Sequence, residues 1–229
     1  MDGRRLRREH NREAVLEALI GLFEKGRYTP TSRQIAEVAG LSLRSLVRYF
    51  DDVDDLTSSA IRRIEQRALP LVDLVVDDRA PTDEKVRAIV ASRVRLYDAV
   101  APAARAGRVC AHRQPAVAEA ISRNRRFLRH QIAALFAPEL ERSGPELLAA
   151  ADVLLSFESY DLLRAAQGRS QAATTSALEA GLQRLLQRGA DPSPGSGATS
   201  LRVSRPRDPR AATPGRRPRR DPPGAGGGR

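Results

Sequence analysis

The chain lacks most of what several common chemistries require. Cys110 is the only cysteine in 229 residues, so no intramolecular disulfide can form, which fits a reducing compartment. His10, His112 and His130 are scattered, and nothing around them has metal-ligand spacing. Cys110 and His112, two residues apart, are the one pair that would suit a redox or metal sensor. There is no glycine-rich phosphate loop and no nucleophile elbow. No segment sustains the period-two alternation of a half-buried strand. No stretch approaches the ~20 consecutive apolar residues that cross a bilayer. The apolar residues behind the N-terminal arginines are interrupted by Glu17 and Gly21, so no signal peptide is expected. These absences point to an all-helical, non-enzymatic protein without catalytic residues, metal or cofactor, off the membrane and in the cytoplasm.

What the chain has in excess is arginine. The formal net charge is +11, a balance that attracts polyanions. The charge sits at the two ends. Residues 1–50 carry ten lysines and arginines against six acids, and residues 191–229 carry nine arginines against three aspartates. The last segment is almost devoid of apolar side chains and is predicted to be a disordered Arg/Pro/Gly-rich tail.

Hydrophobic periodicity lays out the rest. Val15, Leu16, Leu19, Ile20 and Phe23 recur at helical spacing, so Glu9 to Lys25 reads as an amphipathic helix stopped by Gly26. Residues 1–8 precede it as a basic arm. Thr31 or Ser32 caps a second helix to Ala39, and Ser42 caps a third, Leu43 to Phe50. Asp51, Asp52, Asp54 and Asp55 place negative charge at the start of a fourth helix, where the macrodipole favours it. That helix is expected to reach Val76. Further helices are predicted at Asp83 to Val100, ended by Pro102 and Gly107, at Pro115 to Phe136, at Glu146 to Ala166 and at Ser170 to Arg188. The expected division is an arm at 1–8, a head at 9–52, a helical body at 53–190 and the tail at 191–229.

The segment from Ser32 to Phe50 carries the functional argument. It is a short helix, a tight turn at Gly40 and a second short helix. Ile35, Ala36, Ala39, Leu41, Leu46 and Phe50 can face inward. Small alanines allow close approach, and Gly40 takes a backbone conformation that other residues disfavour. This is a helix-turn-helix, whose second helix enters the major groove of DNA. Arg44 and Arg48 lie one turn apart on its outer face, and an arginine can read guanine through two hydrogen bonds. The candidate DNA-binding residues are Thr31, Ser32, Arg33, Ser42, Leu43, Arg44, Ser45, Arg48 and Tyr49. Those near the flanking strand would set register on phosphates rather than read sequence.

On these residues the head resembles the TetR family of one-component regulators. Phe23, Tyr28, Ile35, Ala36, Ala39, Gly40, Ser42, Ser45, Leu46, Tyr49 and Phe50 match the family pattern in order, with Gly26 one residue early. Val47 stands where the family has Tyr and Val53 where it has Lys, both of which touch phosphate in the family. The resemblance implies a ligand-responsive repressor that binds a palindromic operator as a homodimer. It also implies a body whose last two helices form a dimeric four-helix bundle. The competing class is a helical sensor or adaptor acting through protein partners.

The body offers two further sets. Arg93, Tyr97, Asp152 and Glu158 are polar residues among apolar ones and candidates for lining a ligand pocket. Leu154, Phe157, Leu178, Gly181, Leu182 and Leu185 form apolar stripes expected to meet a second copy, because two half-sites ~34–36 Å apart demand two linked heads.

Overall fold

The computed structural model describes residues 3–77 and 79–189 and is helical throughout them, with no strand among the described residues. The expected tail, 191–229, lies outside the described residues. The first helix, α1 (Gly3–Glu24), begins six residues before the predicted start. Residues 3–8 of the expected arm are therefore its first turns. Arginine and leucine favour helix, and Arg5 pairs with Glu9 one turn on at 3.0 Å. Gly26, at φ +74°, ends it. The Arg27 amide reaches back to the Leu22 carbonyl at 2.9 Å and the Gly26 amide to Phe23 at 2.9 Å, the left-handed closure that only glycine adopts cheaply.

Helix α2 (Ser32–Val38) opens on a capping box: the Gln34 amide donates to Thr31 Oγ1 at 3.3 Å, and the Thr31 amide donates to Gln34 Oε1 at 2.9 Å. Gly40, at φ +68°, turns the chain. Helix α3 (Leu43–Tyr49) is capped by Ser42, whose Oγ accepts from the Ser45 amide at 3.1 Å. The core of the head joins Val15, Leu19 and Leu22 of α1, Ile35 and Ala36 of α2, Leu46 of α3 and Phe50 with Leu56 and Ala60 of α4 (Val53–Ala68). The head's packing unit thus extends past residue 52, the boundary expected from sequence.

Helix α4 stops at Ala68 and passes into a short 3₁₀ turn, Leu69–Leu71. It does not reach Val76, because Pro70 has no amide to continue the ladder. Helix α5 (Thr82–Cys110) departs from expectation in the other direction and runs straight through Pro102. An interior proline costs about 3 kcal/mol. Burial of Ala101 just before it and of Ala106 beyond it, among eleven buried positions along the helix, offsets it. After α6 (Pro115–Leu135), Pro138 lies in the first turn of a short helix, α7 (Ala137–Ser143).

The predicted helix Glu146 to Ala166 is three pieces: α8 (Pro145–Leu154), α9 (Phe157–Asp161) and a π-helical turn, Leu162–Ala166. Ser156 makes the break, because its hydroxyl accepts from the Ser159 amide at 3.2 Å and so starts a new helix. Helix α10 (Gln171–Gly189) closes the body. The body core brings Val86, Ile89, Val90 and Val94 of α5 against Ile132, Phe136, Leu147, Leu155, Leu178 and Leu182. Each such side chain contributes about 1.5–3 kcal/mol of burial. Gly181 lets α10 approach α8 closely: a Cβ there would stand 3.1 Å from Leu154 Cδ2.

Candidate nucleic-acid interface and body cavity

The two helices of the turn leave one face of the head open. Thr31, Arg33, Ser42, Leu43, Arg44 and Arg48 are exposed on it, and Ser32 and Ser45 are half-buried. Among the described residues no hydrogen bond or ion pair engages the side chains of Arg33 or Arg44. Three other arginines beside the head core are engaged internally. Arg12 bonds Asp55 at 3.3 Å and Ser59 at 3.2 Å and lies over the Phe50 ring at 4.3 Å. Arg63 and Arg67 of α4 meet Glu17 of α1. The free guanidiniums of Arg33 on α2 and Arg44 on α3 therefore contrast with the paired ones of α1 and α4. The hydroxyls of Thr31 and Ser42 are engaged in capping.

Tyr49 faces differently from its neighbours. Its ring is buried in the head, at 7% exposure. Its hydroxyl accepts from Arg48 Nη2 at 3.1 Å and from Asn11 Nδ2 at 2.7 Å. The Arg48 bond first, and then the Asn11 bond, hold its pKa below the ordinary value of 10. The hydroxyl marks the floor of a cleft between α1 and α3 lined by Arg7, Arg8, Asn11, Arg48 and Tyr49. Sequence reasoning treated Arg7 and Arg8 as part of an arm and did not single out Asn11. The signal was present: Arg7 and Asn11 are one helical turn apart once the helix is extended to Gly3. Val47 and Val53, where the family pattern has Tyr and Lys, are 61% and 58% exposed. Val47 sits between Arg44 and Arg48 on α3, so this face is apolar as well as basic.

In the body, Arg93, Tyr97, Asp152 and Glu158 all lie on the wall of one cavity of about 520 Å³. Its apolar lining comes from Val100, Val117, Ile121, Leu128, Ile132 and Phe157, and Ile61, Ile64 and Glu65 of α4 close one side. Tyr97 donates its hydroxyl to the Leu155 carbonyl at 2.8 Å, and burial pushes its pKa up to about 12. Asp152 is met by Arg129 at 3.1 Å. Glu158 is shared by Arg108, at 2.9 Å, and Arg125. Glu65 is met by Arg123 at 2.8 Å. Arg93 is wholly buried. It donates from Nη1 to Gln131 Oε1 at 2.9 Å and from Nη2 to the Leu128 carbonyl at 3.0 Å. Its Nε has no acceptor among the described residues. Burial draws its pKa below the usual arginine value. Arg108, Arg125 and Glu65 join the wall from α5, α6 and α4, a convergence set by tertiary packing that no local pattern encodes.

Cys110 does not meet His112. Its thiol faces the Tyr28 carbonyl at 3.6 Å, and burial pushes its pKa up, the reverse of what a reactive thiolate needs. The expected dimer stripe is also corrected in part. Phe157, Leu178 and Leu182 are 6%, 1% and 0% exposed, because α10 turns its stripe onto α5 and α8 of its own chain. They fill the protomer's core. Leu154, Gly181 and Leu185 are half-buried along the α8–α10 contact. Among the described residues no helix is long and apolar enough to cross a membrane.

A three-helix head with a helix-turn-helix, joined through α4 to a helical body with a cavity, is a fold that this chain shares with two solved structures. A transcriptional regulator from Rhodococcus sp. Rha1 has this fold with a TM-score of 0.62 and 22% identity, over 80% of this chain and 99% of its own. The multidrug binding protein EbrR, solved with imidazole, has a TM-score of 0.53 and 19% identity, over 85% of this chain and 94% of its own. The likeness to both is one of fold. No protein-family model matches the chain, and no curated protein matches it.

Proposed function

We propose that the chain is a TetR-family transcriptional regulator, a repressor that reads a palindromic operator as a homodimer and releases it when a small molecule enters the body cavity. The observation that carries this reading is the exposed face of α3. Its guanidiniums at Arg44 and Arg48 stand beside the cleft of α1 lined by Arg7 and Arg8, while Arg12, Arg63 and Arg67 are tied into ion pairs within the head. Such a surface suits phosphates along the cleft and base edges at α3. A second copy along the outer side of α8 and α10, where Val153 is 67% exposed, would set two heads at half-site spacing. Thr31, Ser32, Arg33, Ser42, Leu43, Ser45 and Tyr49 complete the surface as phosphate and groove contacts.

The test is footprinting and gel shift on the DNA flanking the protein's own gene. A protected inverted repeat is expected. Arg44→Ala with Arg48→Ala should weaken binding to it by roughly tenfold or more, since each two-pronged base contact is worth about 1–3 kcal/mol. Unchanged binding by that double variant would remove α3 as the reading helix.

A further inference from the structure

The cavity wall holds one cation without an acidic partner. Three carboxylates lie on it, Glu65, Asp152 and Glu158, and each already faces an arginine at 2.8–3.1 Å. Glu158 even serves two. Arg93, the most deeply buried cation of the wall, has no carboxylate within ion-pair distance among the described residues. Its two bonded nitrogens meet a side-chain amide and a backbone carbonyl, both neutral, and Nε meets nothing. A buried guanidinium of this kind is costly, because neutral dipoles return only part of the lost hydration. Protein interiors normally place a carboxylate beside such a group. Here the space next to it is a cavity with mostly apolar walls.

We infer that the cavity takes a small organic acid, with an apolar body against Val100, Ile121, Leu128 and Phe157 and its carboxylate turned toward Arg93. The inference rests on the proposed function only in treating the cavity as an effector site. The carboxylate supplies the counter-charge that Arg93 lacks, and a planar fork of N–H donors suits it. Arg108 and Arg125, sharing a single carboxylate at Glu158, leave net positive charge nearby and favour the same sign of ligand. Cations find no spare carboxylate on the wall. The volume, about 520 Å³, falls within the range of pockets that enclose small ligands.

The experiment uses the full chain and a set of matched probes: hexanoate, decanoate and phenylacetate, each beside its primary amide and its amine. Thermal unfolding and calorimetric titration are read at pH 7.5. At least one acid should raise Tm in a concentration-dependent way, and its amide and amine should bind at least about tenfold more weakly. Arg93→Met should remove the preference of acid over amide while leaving the Tm of the empty protein equal or higher. Arg93→Lys should keep a weakened preference. The inference is overturned if no acid binds, if acid, amide and amine bind alike, or if a folded Arg93→Met protein keeps the preference. The wild-type comparison alone decides the ligand's charge if that variant does not fold. Operator binding without any probe is measured in parallel, so a failure of the DNA-binding reading is distinguishable from a failure of this one.

Discussion

At the scale of single residues, several roles follow from one conformation or one bond. Gly40 has φ +68° and open space around the position a Cβ would take. The cost of a side chain there is purely conformational. Gly40→Ala should therefore destabilise by about 1–2 kcal/mol, read as a lower urea midpoint with unchanged slope. Tyr97 shows the opposite case, in which only the hydroxyl matters. Tyr97→Phe leaves the Leu155 carbonyl buried and unmet, and should cost about 1–2 kcal/mol in the same assay. Both residues stood out in the sequence, Gly40 from turn chemistry and Tyr97 from being polar in an apolar run. Asn11 did not. Its task of holding the Tyr49 hydroxyl at 2.7 Å is set by a contact 38 residues away in the chain, which no local pattern encodes.

At the scale of elements, the seam between α1 and α4 is held by charge. Glu17 receives Arg67 and Arg63, and their hydrogen bonds hold its pKa below 4.5 against the opposing effect of burial. Burial pushes Asp55 up, but Arg12 outweighs it and leaves the carboxyl below 3.8. Both folded values lie under the unfolded ones. Their stabilisation is therefore complete above about pH 4.5 and is lost as pH falls through the folded values. Acid titration of stability should be flat from neutrality to about pH 4.5 and fall below it, and Glu17→Gln should flatten that fall. Helix existence was legible from apolar spacing, and the caps at Thr31 and Ser42 from residue type. Boundaries were not. Pro102 reads locally as a stop, yet packing on both sides of α5 carries the helix through it. Ser156 reads as an ordinary helical residue, yet its hydroxyl starts α9. Tertiary burial decided the first and a single side-chain bond the second. The apolar stripe on α10 was visible, but periodicity says only that a face is covered, not by which partner.

At the scale of the whole molecule, α4 belongs to two neighbourhoods. Leu56 and Ala60 complete the head core, while Ile61, Ile64 and Glu65 wall the cavity. Glu65 is further tied to α6 through Arg123 at 2.8 Å. An occupant that favours one position of this helix shifts the head with it, and the coupling is reciprocal. Glu65→Gln should reduce the factor by which a bound acid weakens operator affinity while changing the acid-free affinity little. Competition gel shifts with and without decanoate measure that factor. The same sharing bears on how such a head could be moved between proteins. A chimaera joined after Asp52 would strip Arg12 of Asp55 and leave the hydrophobic floor under Leu19 and Phe50 open to water. One joined after Ala68 would carry the floor with it but would also import Ile61, Ile64 and Glu65 of the donor's cavity lining, so a grafted head brings along some of its former chemical taste.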